Sequence, residues 1–313
     1  MISIETTFVV GAGASVPYGL PTAAELHTKA LALREGHPVF RLLSDGLRRD
    51  VHGLKNTLKD LRHHPAQSID AFLEARHSWP EVVRTGKLLI AALLGIEIRE
   101  SANREVAPAE DWLGYIVDKM RKGARTPEDF ISGNAGVRFV TFNFDSNIET
   151  RFERAVCAIY RGNSIDLSAL HRAIPIIHVH GVLPDLPDDF AVLASGAYTR
   201  DTIQWLEDSA TRITVVSEAL DDKARSAAVE AVISAKHLCF LGFAYDPDNL
   251  ARIGLPRRLK GMGKKPADIF GSAKGLRRGE QNIVKRYFHD VIQLADEDMG
   301  CRDALRYLDV FKE

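Results

Sequence analysis

Cysteine is scarce in this chain: Cys157, Cys239 and Cys301 are the only three in 313 residues, and they stand far apart. That excludes a disulfide framework and any Cys-x-x-Cys metal knuckle, and it suits a reducing cytoplasm. Excess charge of either sign is missing too. The formal net charge is −1, so nothing pulls the whole molecule toward nucleic acid or an anionic membrane. No apolar run is long enough to span a bilayer, and the longest, around Leu88–Ile96 (LLIAALLGI), reads as a core helix. The first residues lack a basic stretch leading into an apolar one, so no signal peptide is expected and the chain is predicted to be cytoplasmic. Nothing repeats within residues 22–130, and no stretch there is low in complexity.

What is present is ordinary globular material, 45% apolar and 27% charged, in a length that suits one large domain or a domain with a subdomain. Strand-like runs recur at wide spacing: Thr6–Val10, Val137–Asn143, Ile174–His180, Arg212–Ser217, Leu238–Phe243 and Ala267–Phe270. Several are continuously apolar, as strands buried on both faces should be, and the gaps between them accommodate helices. The pattern predicts an α/β fold: a Rossmann-like, mostly parallel sheet with helices on both faces. Residues 22–130 hold no convincing strand and show helical periodicity in Phe40-Leu42-Leu43-Leu47, Ile69-Phe72-Leu73 and Trp112-Ile116-Met120. They are expected to form a helical subdomain inserted into a single domain spanning 1–313, with 131–313 completing the sheet. Ser68 marks the start of one insert helix, and Pro80 is expected to end it.

The first strand runs straight into Gly11-Ala12-Gly13-Ala14-Ser15 (TTFVVGAGAS). Glycines there let the backbone turn sharply and approach a ligand, and the helix predicted after Pro21 would aim its first amides at a phosphate on the loop. The dinucleotide fingerprint asks for a third glycine three places after Gly13, where Val16 stands, so an ordinary dehydrogenase loses ground. A tight turn with no ligand is the plainer alternative.

Ligands of an open parallel sheet bind outside the carboxyl ends of its strands. Those ends carry Gly11–Ser15, Thr141-Phe142-Asn143-Phe144-Asp145, His178-Val179-His180-Gly181 and Gly242-Phe243-Ala244-Tyr245-Asp246. Asn143 and Asp145 would share a face, as would His178 and His180. Each also has a bland reading: Asn143 or Asp145 can cap the helix SNIETRFERAV, and His180 can be a turn residue. Their coincidence at three strand ends points to a site. His63-His64 reads as a solvated helix end, with no partners at metal-ligand spacing. Residues 256–279 carry Arg257, Arg258, Lys260, Lys264, Lys265, Lys274, Arg277 and Arg278 against Asp268. That run is a solvated face, or a surface for ligand phosphates or an acidic partner, and it is the one stretch where nucleic acid could bind.

GAGAS with GLPTA, then TFNFD, then HVHG, resembles the sirtuin (silent information regulator two) superfamily, whose members hold NAD with a GAG loop, a T-x-N-x-D strand end and an HG dipeptide. The likeness extends to SIDAFLEAR, AVLASGAYTR, GFAYDPDN and DIFGSAKGLRRGEQNIV, a fuller pattern similar to bacterial sirtuin-like proteins of antiphage defence. Deacylase sirtuins usually carry a four-cysteine zinc ribbon after the HG, and this chain has no cysteine between Cys157 and Cys239. Their loop reads GIPDFR, whereas here Gly19-Leu20-Pro21 leads into Thr22-Ala23-Ala24. Both departures count against an acyl-lysine peptide groove.

The resemblance implies NAD as substrate and no metal. It sets the diphosphate on Gly11, Ala12, Gly13 and Ser15, with Thr141, Gly242, Phe243 and Asp246 lining the site and the adenine toward Gly271 and Ser272. It gives catalysis to Asn143, holding a ribose hydroxyl and a water, and to His180 as general base. Asp145 accepts from the nicotinamide carboxamide or orients the strand. The implied activity is NAD glycohydrolysis, in an effector that stays silent until self-association into a homo-oligomer, or a partner such as a translocase-like ring ATPase, activates it. A deacylase and a nucleotide-binding module without turnover are the rival classes.

Overall fold

The computed structural model of the chain describes residues 1–46, 51–188, 190, 198–215, 218, 220–255 and 268–311. The chain folds as two compact units: a sheet unit of Met1–Pro17, Val106–Val179 and Asp221–Glu313, and a helical unit of Tyr18–Glu105 and His180–Leu220.

Along the chain, β1 (Thr6–Val10) is followed by α1 (Ala23–Ala32), α2 (Pro38–Arg41), α3 (Val51–His63), α4 (Ile69–Ala75) and α5 (Pro80–Ser101). Then come α6 (Trp112–Arg121), α7 (Pro127–Gly133), β2 (Val137–Thr141), α8 (Asn147–Ile159), α9 (Leu167–Ala173) and β3 (Ile176–His178). The remainder is α10 (Arg200–Arg212), α11 (Asp222–Ser234), β4 (His237–Leu241), α12 (Pro247–Arg252), β5 (Asp268–Gly271), α13 (Arg278–Tyr287), β6 (Ile292–Leu294) and α14 (Cys301–Tyr307).

The six strands form one sheet in the order β3-β2-β1-β4-β5-β6, and every pairing is parallel. This is the doubly wound Rossmann order, whose direction reverses between β1 and β4. β1 lies in register with both inner neighbours, Val10 opposite Thr141 and Leu241, so the β1, β2 and β4 ladders stop level. Its Thr-Thr-Phe-Val-Val sequence is buried throughout, and Phe8 stacks on Phe139 at 5.2 Å. The sheet unit has a polar clasp at Asn134, which is wholly buried. Its Nδ2 donates to the Met120 and Phe130 carbonyls at 3.1 and 2.7 Å, and its Oδ1 accepts from the Ile2 amide at 2.8 Å.

The helical unit is organised on α5, which takes α1, α3, α4 and α10 around it. LLIAALLGI lies inside this helix and is buried from Leu88 through Gly95, as its apolar run predicts. Ser68 caps α4 through the Ala71 amide at 3.1 Å. Pro80 does not end that helix. α4 has already stopped at Ala75, and Pro80 opens α5, where its missing N–H costs nothing and its fixed φ suits the first turn.

One further expectation is corrected. The described part of Arg212–Ser217 forms no strand: Arg212 closes α10, and residues 213–215 carry no ladder. Ile213 and Val215 are buried, so these residues are apolar for packing, and the Thr214 amide between them donates to the His180 carbonyl at 2.8 Å. In its place the sheet gains β6, a three-residue edge strand too short for an apolar pattern to reveal. No helix among the described residues is long and apolar enough to cross a membrane.

Candidate functional site

Because β1, β2 and β4 stop level, their exits meet at the reversal point of the sheet. After β1 the chain makes short 3₁₀ turns, Ala12–Ala14 and Val16–Tyr18, rather than entering a helix at once. The helix itself starts at Ala23 behind a capping box: Thr22 Oγ1 accepts from Glu25 N at 3.2 Å, and Glu25 accepts from Thr22 N at 2.7 Å. The helix start is thus self-capped and carries its own carboxylate, Glu25.

Backbone crowding explains the glycines. Gly11 N donates to Leu241 O and Gly13 N to Gly242 O, both at 3.0 Å. A Cβ on Gly11 would stand 2.6 Å from Gly242 O, and one on Gly13 would stand 2.9 Å from the same oxygen. Gly242 has φ +56, and a Cβ there would drive into the Gly13–Ala14 backbone. The β1 and β4 exits thus interlock main chain to main chain. Ala12 N has no hydrogen-bond partner among the described residues, which leaves a donor for an anionic ligand.

Asn143 joins this loop from β2. Its side chain is buried, and Nδ2 donates to Ser15 Oγ at 3.0 Å and to Gly11 O at 3.3 Å. Both amide hydrogens are spent, so Asn143 offers a ligand its Oδ1, which has no partner among the described residues. Ser15 accepts from Asn143 and keeps its own proton to donate. Thr141, fully buried, accepts from Asn143 N at 3.1 Å through Oγ1.

Asp145 lies beyond them, accepting from the Asn147 amide at 3.1 Å near the start of α8. Burial pushes its carboxyl up to about 6, against the pull of the Asn147 amide and the His178 imidazole. His178 is a neighbour that the strand-end reasoning placed but gave no task, and Glu149 went unnoticed. His178 Nδ1 meets Asn143 O at 3.0 Å, and its Nε2 meets Glu149 Oε1 at 2.6 Å. Burial lowers the imidazole, but the hydrogen bond and charge of Glu149 outweigh it, and His178 titrates above its ordinary range. The only sequence signal for Glu149 was a carboxylate in the first turn after a strand end.

His180 begins the second stretch of the helical unit, where it is buried and its carbonyl accepts from Thr214. Gly181 follows at φ +80.

On the β4 and β5 side, Gly242 N donates to Ser272 Oγ at 2.8 Å, and Tyr245 Oη donates to Ser272 O at 3.0 Å. Tyr245 adopts φ +57, a conformation costing a non-glycine residue about 1–2 kcal/mol, and is held by this bond and by rings of Phe240, Phe243 and Phe288. Gly271 lies under the Tyr245 hydroxyl. Phe243 packs edge-on against Phe142 at 5.0 Å. Asp246 caps α12 through the Asp248 and Asn249 amides, both at 3.0 Å. Burial raises the Cys301 thiol to about 11, against a hydrogen bond to Ser272, so it stays an inert thiol near neutrality. Of the basic run, Arg257, Arg258, Lys260, Lys264 and Lys265 lie outside the described residues, while Arg277 and Arg278 begin α13.

A groove of about 900 Å³ opens elsewhere, in the helical unit, beside the exposed Trp79. Its arginines are spent on carboxylates, Arg76 on Asp60 at 2.7 Å and Arg84 on Glu207. The strand ends, with a donor and an acceptor left over, make the better candidate.

No protein-family model matches the chain, and no curated protein matches it. Among solved structures it is similar to Sir2Tm bound to a propionylated peptide, with a TM-score of 0.40 and 14% identity over 97% of this chain and 92% of that one. A likeness at that level carries no argument, and the Rossmann-like architecture stands on the strand order itself.

Proposed function

We propose that the sheet unit binds NAD at the β1–β4 reversal and that the chain hydrolyses it to nicotinamide and ADP-ribose. The observation that carries this reading is the locked Asn143 carboxamide, whose Nδ2 is held by Ser15 and Gly11 while Oδ1 is left as an acceptor beside the glycine loop. The Ala12 amide and the Ser15 hydroxyl are donors suited to the diphosphate. The N-glycosidic bond breaks with its electron pair passing to the nicotinamide nitrogen, and water adds to the ribose carbon. Asn143 Oδ1 orients a ribose hydroxyl or that water. His180 takes the proton released, a role that rests on the sequence pattern alone; base assistance of this kind is worth about 10²–10⁴-fold. Asp145 holds the start of α8 behind Asn143.

The sequence resemblance favours an antiphage effector that drains NAD once a partner, or assembly with other copies, releases it. The test is incubation of the purified chain with NAD, with and without an acyl-lysine peptide, following nicotinamide and ADP-ribose by chromatography. Peptide-independent release that is lost in Asn143→Ala is expected. Release only with peptide would replace hydrolysis by deacylation, and binding without release would leave a nucleotide-binding module.

A further inference from the structure

We propose that His178 and Glu149 form a positioning pair that holds Asn143 in its working orientation, an inference that rests on the nucleotide-site reading above. The β2 ladder ends at Thr141, whose carbonyl takes the Val179 amide at 2.9 Å. Two residues further on, the Asn143 carbonyl lies beyond any strand partner. A buried carbonyl needs a donor, and His178, paired with Thr141 in the β3 register, supplies one from its side chain.

The proton positions follow from the partners. A carbonyl only accepts, so Nδ1 of His178 carries hydrogen. The 2.6 Å contact at Nε2 then holds one proton between imidazole and Glu149 carboxylate. Glu149 thereby fixes the ring plane and the tautomer, as a carboxylate does behind a working histidine. Its Oε2 is buried with no partner among the described residues. Here the carboxylate is committed through one oxygen to the imidazole, and through it to Asn143. The chain Glu149–His178–Asn143 ends in the Nδ2 bonds to Ser15 and Gly11, so the orientation of Oδ1 is set at both ends of the residue.

The test reads hydrogen exchange of the Asn143 side-chain amide by NMR in wild type, His178→Ala, His178→Asn and Glu149→Ala, beside NAD affinity and turnover. Protection of the Asn143 Nδ2 protons is expected in wild type, and a loss of about tenfold or more in His178→Ala and Glu149→Ala. Asn at 178 can donate from the place of Nδ1 and should restore protection. Turnover should fall about 10–100-fold in the alanine variants, the range seen when an outer partner of a working side chain is removed, with NAD affinity changed less than about threefold. Unchanged protection in either folded alanine variant, or an Asn variant no better than Ala, overturns the proposal. A wild-type chain that shows the protection pattern but releases no nicotinamide would refute the hydrolase reading and leave the positioning pair standing.

Discussion

The interlock of the β1 and β4 exits can be weighed with one alanine placed twice. Gly242 and Gly275 both sit at positive φ, +56 and +81. Alanine in that region costs about 1–2 kcal/mol from the clash of its own Cβ with the following carbonyl. At Gly275 that is the whole cost, because nothing lies within 4 Å of the added carbon. At Gly242 the carbon would also stand 2.7 Å from Ala14 Cα, and closer still to Gly13 C and Ala14 N. These are backbone atoms, so relief requires the glycine loop to move, at an overpacking cost of about 1–3 kcal/mol. Gly242→Ala should therefore exceed Gly275→Ala by about 1–3 kcal/mol. Urea unfolding read by pulse-labelled hydrogen exchange in peptides of β1 and β4 measures this in the sheet unit alone. Equal destabilisation of the two variants would refute the claim that main-chain crowding, rather than conformation, demands glycine at 242.

Three further expectations follow from buried polar groups. Asp145 titrates at about 6 in the fold against an ordinary 3.8, so between those values the folded chain holds a proton that the unfolded chain has released, and stability falls as pH rises. Asp145→Asn should gain relative to wild type across pH 4–6, reaching about 3 kcal/mol above that window, and a difference that is flat with pH in paired urea titrations would sink the assignment. Asn134→Ala strips three hydrogen bonds from fully buried partners and should cost about 3 kcal/mol or more by the same unfolding assay. Trp112 Nε1 donates to the Ala14 carbonyl at 2.7 Å, so Trp112→Phe keeps most of the packing but strands that carbonyl at a cost of about 1–3 kcal/mol. Faster exchange in peptides covering the glycine loop should accompany that loss.

Legibility of the sequence tracked how local the determinant was. Thr6–Val10 is visible end to end because a strand buried on both faces leaves five apolar or β-branched residues in a row. Ser68 was legible as a cap for the same reason, since its partner amide is three residues away. Pro80 was readable as a boundary but not in its direction, because proline punctuates both the end of one helix and the first turn of the next. Arg212–Ser217 shows the limit of apolar pattern: Ile213 and Val215 are buried without a ladder, and burial alone does not separate a strand from an extended connection. Ile292–Leu294 shows the converse, a strand with too few residues to make a pattern.

The candidate site divides along the same line. Gly11, Gly13, Asn143 and Gly242 were legible as strand-end residues, and a ligand was the reason given for the glycines. The reason the structure supplies for their lack of a side chain is each other, across 230 residues of sequence that no local pattern spans. Gly271, Ser272, Phe243 and Asp246 likewise have internal partners: the Tyr245 hydroxyl, the Gly242 amide, the Phe142 ring and the α12 amides. These contacts shape the β4 and β5 exits whether or not a nucleotide is bound, so the presence of such residues is weak support for binding. What distinguishes a binding site from a well-made turn is polar capacity left over after the fold has taken its share. By that criterion the case for a ligand narrows to the Ala12 amide, the Ser15 hydroxyl and Asn143 Oδ1, three groups whose unused donors and acceptor lie on one loop and the strand end beside it.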